Sequence, residues 1–400
     1  MARSVVAAVS ATVIWLFASG AQAADIDVKS RLVPGPTPHS PVLSTTIRLS
    51  GPFRAGDALA MKQVLARLAA ETPPVPGTPL ATVELSSLGG DLDEGLRIGA
   101  LFRDYNVATV VRKRDLCLSA CALAFLGGTS AHQETGRGSP QAPSDRSPSH
   151  NLERGAKLGF HAFYLNPNSA QSPTADDPAR GRQQGFSEAR AGTSAVILYA
   201  AELGIDPRFV ASMLTKPQDE FAYVNTAEEF LALKVCPIGL ERPAISPAEQ
   251  ALNICNHSTG WADPATLSQV RAMTPRQAKR HMLENIQQNM ASLKVNGALS
   301  SQLASYAVMR DERSIDNLYA DLRAAGVRLP EIVGPVFEVS GYRGSGHEMQ
   351  CFASLSADDP NRYSVAIRRP TKWSHPDRSA PRDCRGLYLH DREAVINPRP

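Results

Sequence analysis

Apolar positions in the first half of the chain recur with two periods in turn. Thr45, Ile47 and Leu49 alternate with polar neighbours, the period of a strand, and after the turn Ser50-Gly51-Pro52 the residues Ala58, Met61, Leu65 and Leu68 recur at helical spacing. Residues 83–86 form a short β-prone run, and Gly89-Gly90 gives a turn open to backbone angles that other residues avoid. A second helical stripe follows in Leu92, Leu96, Gly99 and Phe102, opened by Asp91 as N-cap with Glu94 three residues on. The β-branched run at 107–111 suits a parallel strand covered on both faces. Repeated β-α units of this kind predict an α/β fold with a mostly parallel sheet and right-handed crossovers. Residues 117–125 are small and apolar with one hydroxyl, which predicts a buried helix with Ser119 near its positive end.

The second half changes character. Residues 157–164, KLGFHAFY, read as a strand holding His161, followed by a helix over 187–203 and a shorter one opened by Asp206-Pro207. Thr226 and Glu229 form a capping box, and the first domain, 44–240, is expected to close near Leu240. Residues 24–43 are rich in proline and read as a linker, while the polar stretches near 129–155 and 166–184 read as disordered insertions. From Ser246 the pattern turns helical, with a capping box at Thr274 and Gln277 and further helices expected over 300–309 and 314–325. Strands are then predicted at 336–339, 349–355 and 363–367, so that 241–400 form a smaller helical plus β module.

Composition narrows the classes. With 400 residues and 43% hydrophobic content the chain is long enough for two cores. A net charge of +3 is close to balance, and no basic run exceeds Arg112-Lys113-Arg114, so nucleic acid is not an expected partner. Arg3, the apolar stretch 5–20 and Ala21-Gln22-Ala23 have the form of a signal peptide over 1–23, with an uncleaved anchor as the alternative. The expectation is a periplasmic or secreted protein without a membrane span after cleavage. Six cysteines in an exported chain favour disulfides over zinc. Local spacing suggests Cys236 with Cys255 and Cys351 with Cys384, leaving Cys117 and Cys121 for each other across one helical turn. His257 and His347 lack partners at metal-ligand spacing and read as surface histidines. The glycine-rich run Gly341 to Gly346 has no strand-turn-helix context for binding phosphate. No metal or cofactor is therefore expected.

Acyl transfer by serine needs a nucleophile, a base within reach, and donors aimed at the developing oxyanion. Ser119 and His161 are candidates for the first two, and the N–H groups of Gly90 and Ala120 for the third. Spacing alone does not distinguish this set from a capping serine and a structural histidine. Lys113 and Lys157 are candidates for a serine–lysine dyad, although lysines beside strands are usually solvated.

The order LSSLGGDLDEG, CLSACALAF, LGFHAF and NTAEEFLALKV resembles the Clp protease proteolytic subunit and its crotonase-fold relatives, in particular exported Clp-protease-like proteins with a Cys-x-Ser-Ala-Cys element. It covers residues 45–235. The resemblance implies that fold, with the Gly89-Gly90 turn supplying an oxyanion-hole amide, Ser119 opening a helix and His161 lying on the next strand. Leu118 stands where the family commonly has glycine, and the insertion at 129–155 accounts for the long interval between Ser119 and His161. Alignment puts Pro217 where an orienting aspartate is expected, so Asp219 is nominated, with Glu220 as substitute. The implied function is an exported serine peptidase acting without cofactor on peptides or unfolded protein, with a homo-oligomer admitted by the family's rings. The alternative is a catalytically inactive binding or scaffold protein of the cell envelope. Export disfavours the acyl-CoA chemistry of the crotonase branch.

Overall fold

The alternating and helical stripes of the first half build a layered α/β unit. A computed structural model of the chain describes residues 24–33, 42–72, 78–131, 146–162, 178–217, 220–261, 263–288, 301, 312–325, 327, 329–344, 347–359, 362–369, 372–374 and 382–398. The expected signal peptide lies outside them. Strands β1 (Asp25–Val33), β2 (Val42–Ser50), β3 (Thr82–Ser86), β4 (Ala108–Val111), β8 (His150–Glu153) and β11 (Cys236–Ile238) form a six-stranded sheet in that order. From β2 to β11 every neighbour is parallel, and β1 alone runs antiparallel, on β2. Helices α1 (Asp57–Glu71) and α2 (Leu92–Asp104) make the first crossovers. Met61, Leu65, Ile98 and Phe102 on these helices join Ile47, Leu49, Val83 and Leu85 of the sheet in one core.

Several expectations are corrected. Residues 25–33 are no linker but the strand β1, which pairs with β2 along its whole length; Ile26 and Val28 pack against the first core, and most of the other side chains are exposed. Within the expected insertion at 129–155, β6 (Thr129–Ala131) pairs with β7 (Arg146–Pro148), and β8 enters the central sheet; residues 132–145 lie outside the described residues. Of the second insertion, residues 166–177 lie outside the described residues, and helix α4 (Pro178–Leu203) starts well before 187. The apolar run at 117–125 is divided into strand β5 (Leu116–Leu118) and helix α3 (Ala120–Phe125).

A small sheet sets β9 (Lys157–Phe160) between β5, parallel to it, and β10 (Ala222–Tyr223), antiparallel. Helix α5 (Pro207–Leu214) is capped by Asp206 and α6 (Ala227–Ala232) by the Thr226/Glu229 capping box. Beyond β11, helix α7 (Pro247–Thr259) covers one face of an antiparallel sheet of β12 (Val270–Met273), β13 (Val336–Gly344), β14 (His347–Leu355), β15 (Tyr363–Arg369) and β16 (Lys372–Ser374). Helices α8 (Pro275–Gln288) and α9 (Glu312–Ala324) cover the other. Strand alternation divides the side chains: Val339, Cys351 and Ala353 face α7, whereas Val336 and Phe352 face α8 and α9. Most of the helix expected at 300–309 lies outside the described residues.

The end of the chain returns to the first core. Cys384, Leu387 and Ile396 pack there, Val395 bridges to Thr226, and Ala394 and Arg392 accept through their carbonyls from the Ala227 and Glu228 N–H groups at 3.0 and 2.8 Å. The expected division near Leu240 is therefore crossed by a tail that belongs with the first unit. This also corrects the cysteine pairing. Cys117–Cys121 holds, but the long-range pairs are Cys236–Cys384 and Cys255–Cys351, because the tail meets β11 and α7 packs on β14. All six cysteines pair, which fits folding in an oxidising compartment. Among the described residues no helix is long and apolar enough to cross a membrane.

Candidate active site

Three chain segments meet around Ser119. The first is the turn after β3, where Gly89 and Gly90 adopt φ of 100° and 139°, backbone that only glycine takes without strain. Phe53 fixes this turn from both sides: its N–H donates to the Gly89 carbonyl at 2.8 Å, and its carbonyl accepts from the Asp91 N–H at 3.0 Å. Asp91 then caps α2 by accepting from the Glu94 N–H.

The second segment is the turn from β5 to α3. Ser119 sits on it with φ 55° and ψ −125°, the left-handed side of backbone space, where a β-substituted residue persists only if its surroundings impose it. The surroundings do. The Ser119 N–H donates to the Gly159 carbonyl at 3.0 Å, and its own carbonyl accepts from Ala122 and Leu123. Cys117 on β5 and Cys121 on α3 close a disulfide around the turn, with Cα atoms 5.2 Å apart, so it joins strand to helix rather than two positions of one helix. Ser119 is half-buried between buried Leu118 and Ala120. At this junction the N–H groups of Gly90 and Ala120 have no acceptor among the described residues. A Cβ on Gly89 would lie 3.1 Å from the Ala120 nitrogen, which shows how closely the two turns meet.

The third segment is β9. Its register pairs Leu118 with Gly159, so Ser119 and His161 both lie just past the paired residues, at one end of the small sheet. Leu118 lies over Gly159: a Cβ there would be 2.9 Å from the Leu118 Cδ2 and 3.0 Å from the Tyr223 ring. His161 is 9% exposed, and its ring lies 4.7 Å from that of Phe221. Burial holds its pKa below the ordinary histidine value, favouring the neutral imidazole that a general base requires.

Asp219 lies outside the described residues. Its substitute Glu220 is exposed, with its carboxylate 3.7 Å from the Lys216 ammonium. Lys113 is exposed on the turn after β4, and Lys157 is exposed and paired with Leu116, at the end of β5 away from Ser119. Neither lysine joins the site. His257 is not a surface histidine: it is half-buried, accepts from the Trp261 indole at Nδ1 and so donates from Nε2 to the His390 carbonyl, both at 2.8 Å. His347 begins β14. Among the described residues no cluster of histidine, cysteine, aspartate and glutamate fits a metal ion.

Gly95 and Phe221 are site residues that the periodicity of the chain does not single out. A Cβ on Gly95 would meet the Ala120 carbonyl oxygen at 2.5 Å, so this glycine lets α2 approach the start of α3. The signal for it was Gly95 and Gly99 four residues apart on one helix face. Phe221 had no signal, since only the β9–β10 pairing brings it to His161. A comparison of the chain with protein-family models and with curated proteins finds no match.

Proposed function

We propose that this chain is an exported serine hydrolase, a peptidase with a fold of the Clp-protease/crotonase kind. The observation that carries the reading is Ser119: a serine on a positive-φ turn between strand and helix, beside two backbone N–H groups without an acceptor among the described residues. Such a turn exposes the hydroxyl where a carbonyl can approach it, and donors preset beside it stabilise the charge that develops on attack.

In this mechanism His161 takes the proton from the Ser119 hydroxyl as Oγ attacks the substrate carbonyl carbon. The carbonyl oxygen becomes an oxyanion held by the Gly90 and Ala120 N–H groups. Collapse expels the leaving amine, which receives the proton from His161, and leaves an acyl ester on Ser119. Water, deprotonated by His161, then hydrolyses that ester and restores both groups. Asp219 is the proposed orienter of His161. No metal or cofactor enters the sequence of steps. The substrates are peptides or unfolded protein, which can thread to a half-buried serine.

A fluorophosphonate probe tests the reading directly. The mature protein is expected to label at Ser119, with labelling abolished in Ser119→Ala and strongly reduced in His161→Ala. Absence of Ser119-dependent labelling rejects the hydrolase and leaves a catalytically inactive binding or scaffold protein.

A further inference from the structure

Asn397 lies far along the chain from every residue of the candidate site, yet it is 3% exposed and fully engaged. Its side-chain oxygen accepts from the Gly155 N–H at 2.8 Å, and its side-chain nitrogen donates to the Ala156 carbonyl at 2.8 Å. Its main-chain N–H donates to the Asn225 carbonyl at 3.0 Å, a carbonyl that also accepts from the Ile396 N–H at 2.8 Å.

These partners flank the strands that carry His161 and its neighbour. Gly155 and Ala156 form the turn from which β9 starts, and Asn225 follows shortly after the end of β10. Because β9 and β10 are antiparallel, the start of one and the end of the other lie together, and His161 and Phe221 meet at the opposite end. The pair is short, with only Phe160↔Ala222 and Gly159↔Tyr223 in register, and so short a pairing holds its geometry only with outside support. Asn397 bonds to both strands' flanks at once. The bridge Thr226↔Val395 continues the same attachment along the tail.

We propose that Asn397 is a positioning residue for the site: by tying the start of β9 to the end of β10 it fixes the strand pair that carries His161 beside the Ser119 turn. The proposal rests on the hydrolase reading for its activity readout and on the hydrogen bonds alone for its structural one. It assigns the tail a role in the site rather than in stability only.

The test compares Asn397→Ala and Asn397→Asp with Leu387→Ala, which removes a buried tail side chain from the core and leaves the Asn397 hydrogen bonds to Gly155 and Ala156 in place. Fluorophosphonate labelling of Ser119 is followed against pH, at a temperature where each variant is folded, and the His161 ring is titrated by NMR. Among the described residues, the titratable groups on the elements around His161 are Tyr223, Glu220 with its partner Lys216, and Lys157 at the far end of β9; Asp219, the proposed orienter, lies outside them. Asn397→Ala is expected to label about ten- to a hundredfold more slowly, as misplacement of a reacting group does. Its pH midpoint should move up toward the ordinary histidine value as His161 loses burial. Asn397→Asp keeps the acceptor for Gly155 but loses the donor to Ala156, and should fall between. Leu387→Ala should lose thermal stability and keep the wild-type rate and midpoint. A wild-type rate and midpoint in Asn397→Ala, or an equal loss in Leu387→Ala, overturns the proposal. If the wild type does not label, the hydrolase reading fails, and the His161 titration still decides: an unchanged midpoint and ring shifts in Asn397→Ala overturn the positioning role.

Discussion

A Cβ placed on Gly89 would lie 2.8 Å from the Cβ of Ser119 and 2.7 Å from the Leu118 carbonyl oxygen. The glycine turn after β3 and the serine turn after β5 are thus in direct contact, and neither can change shape alone. Gly89→Ala adds that Cβ at a φ of 100°, where an L side chain is strained by about 1–3 kcal/mol before any clash is counted. The variant is expected to melt at lower temperature and, where still folded, to label at Ser119 at least about a hundredfold more slowly, because the contact falls at the reacting group. Wild-type labelling in a folded Gly89→Ala protein would separate this turn from the chemistry.

The pH dependence of labelling follows from His161. Protonation removes the base, so the rate falls as pH drops through its folded-state pKa, which burial holds below the ordinary value. The acid midpoint measured by initial labelling rates is therefore expected below about 6.5. A midpoint above that value indicates an ordinary, solvated histidine or a different titrating group.

Acid stability should report on another histidine. His150 is fully buried, with Nδ1 3.2 Å from the Gly128 carbonyl and Nε2 2.8 Å from that of Leu233, and burial pushes its pKa down to about 4. Above pH 6.5 folded and unfolded chains both hold it neutral. As pH falls from 6.5 to 4 only the unfolded chain gains the proton, so stability drops by roughly 3 kcal/mol over that window and levels off below it. Urea unfolding across this range measures the slope. His150→Gln should start less stable at pH 7 and lose less on acidification.

Non-reducing digestion and mass mapping are expected to find Cys117–Cys121, Cys236–Cys384 and Cys255–Cys351. The Cys236–Cys384 bond spans 148 positions, of which the nested Cys255–Cys351 bond already closes 96, so replacing both residues by serine should cost about 4 kcal/mol, the scale for closing the remaining 148 − 96 = 52. Denaturant midpoints of the double variant measure that loss. Recovery of a Cys236–Cys255 peptide would restore the pairing suggested by local spacing.

Much of the candidate site is legible in the residues alone. Gly89-Gly90 announces a positive-φ turn, Ser119 stands alone among small apolar residues, and His161 interrupts an apolar run, although the strand expected over 157–164 ends at Phe160, just before it. These are local signals, written in steric freedom and in side-chain period. The same holds for the capping boxes at Thr226 and Thr274, where both partners lie within one turn of helix.

By itself, then, the sequence determined the order and type of most elements and the residues that carry chemistry, because propensity, capping and amphipathic period act over a few neighbours. Only the tertiary structure decided that residues 25–33 and 150–153 are strands, that Cys236 meets Cys384, that Phe221 stands at His161, and that Asn397 ties β9 to β10. The physical reason is common to all of them. Backbone pairing, disulfide closure and buried polar contacts join segments remote in the chain. Their stability comes from partners that leave no periodic trace in the residues themselves.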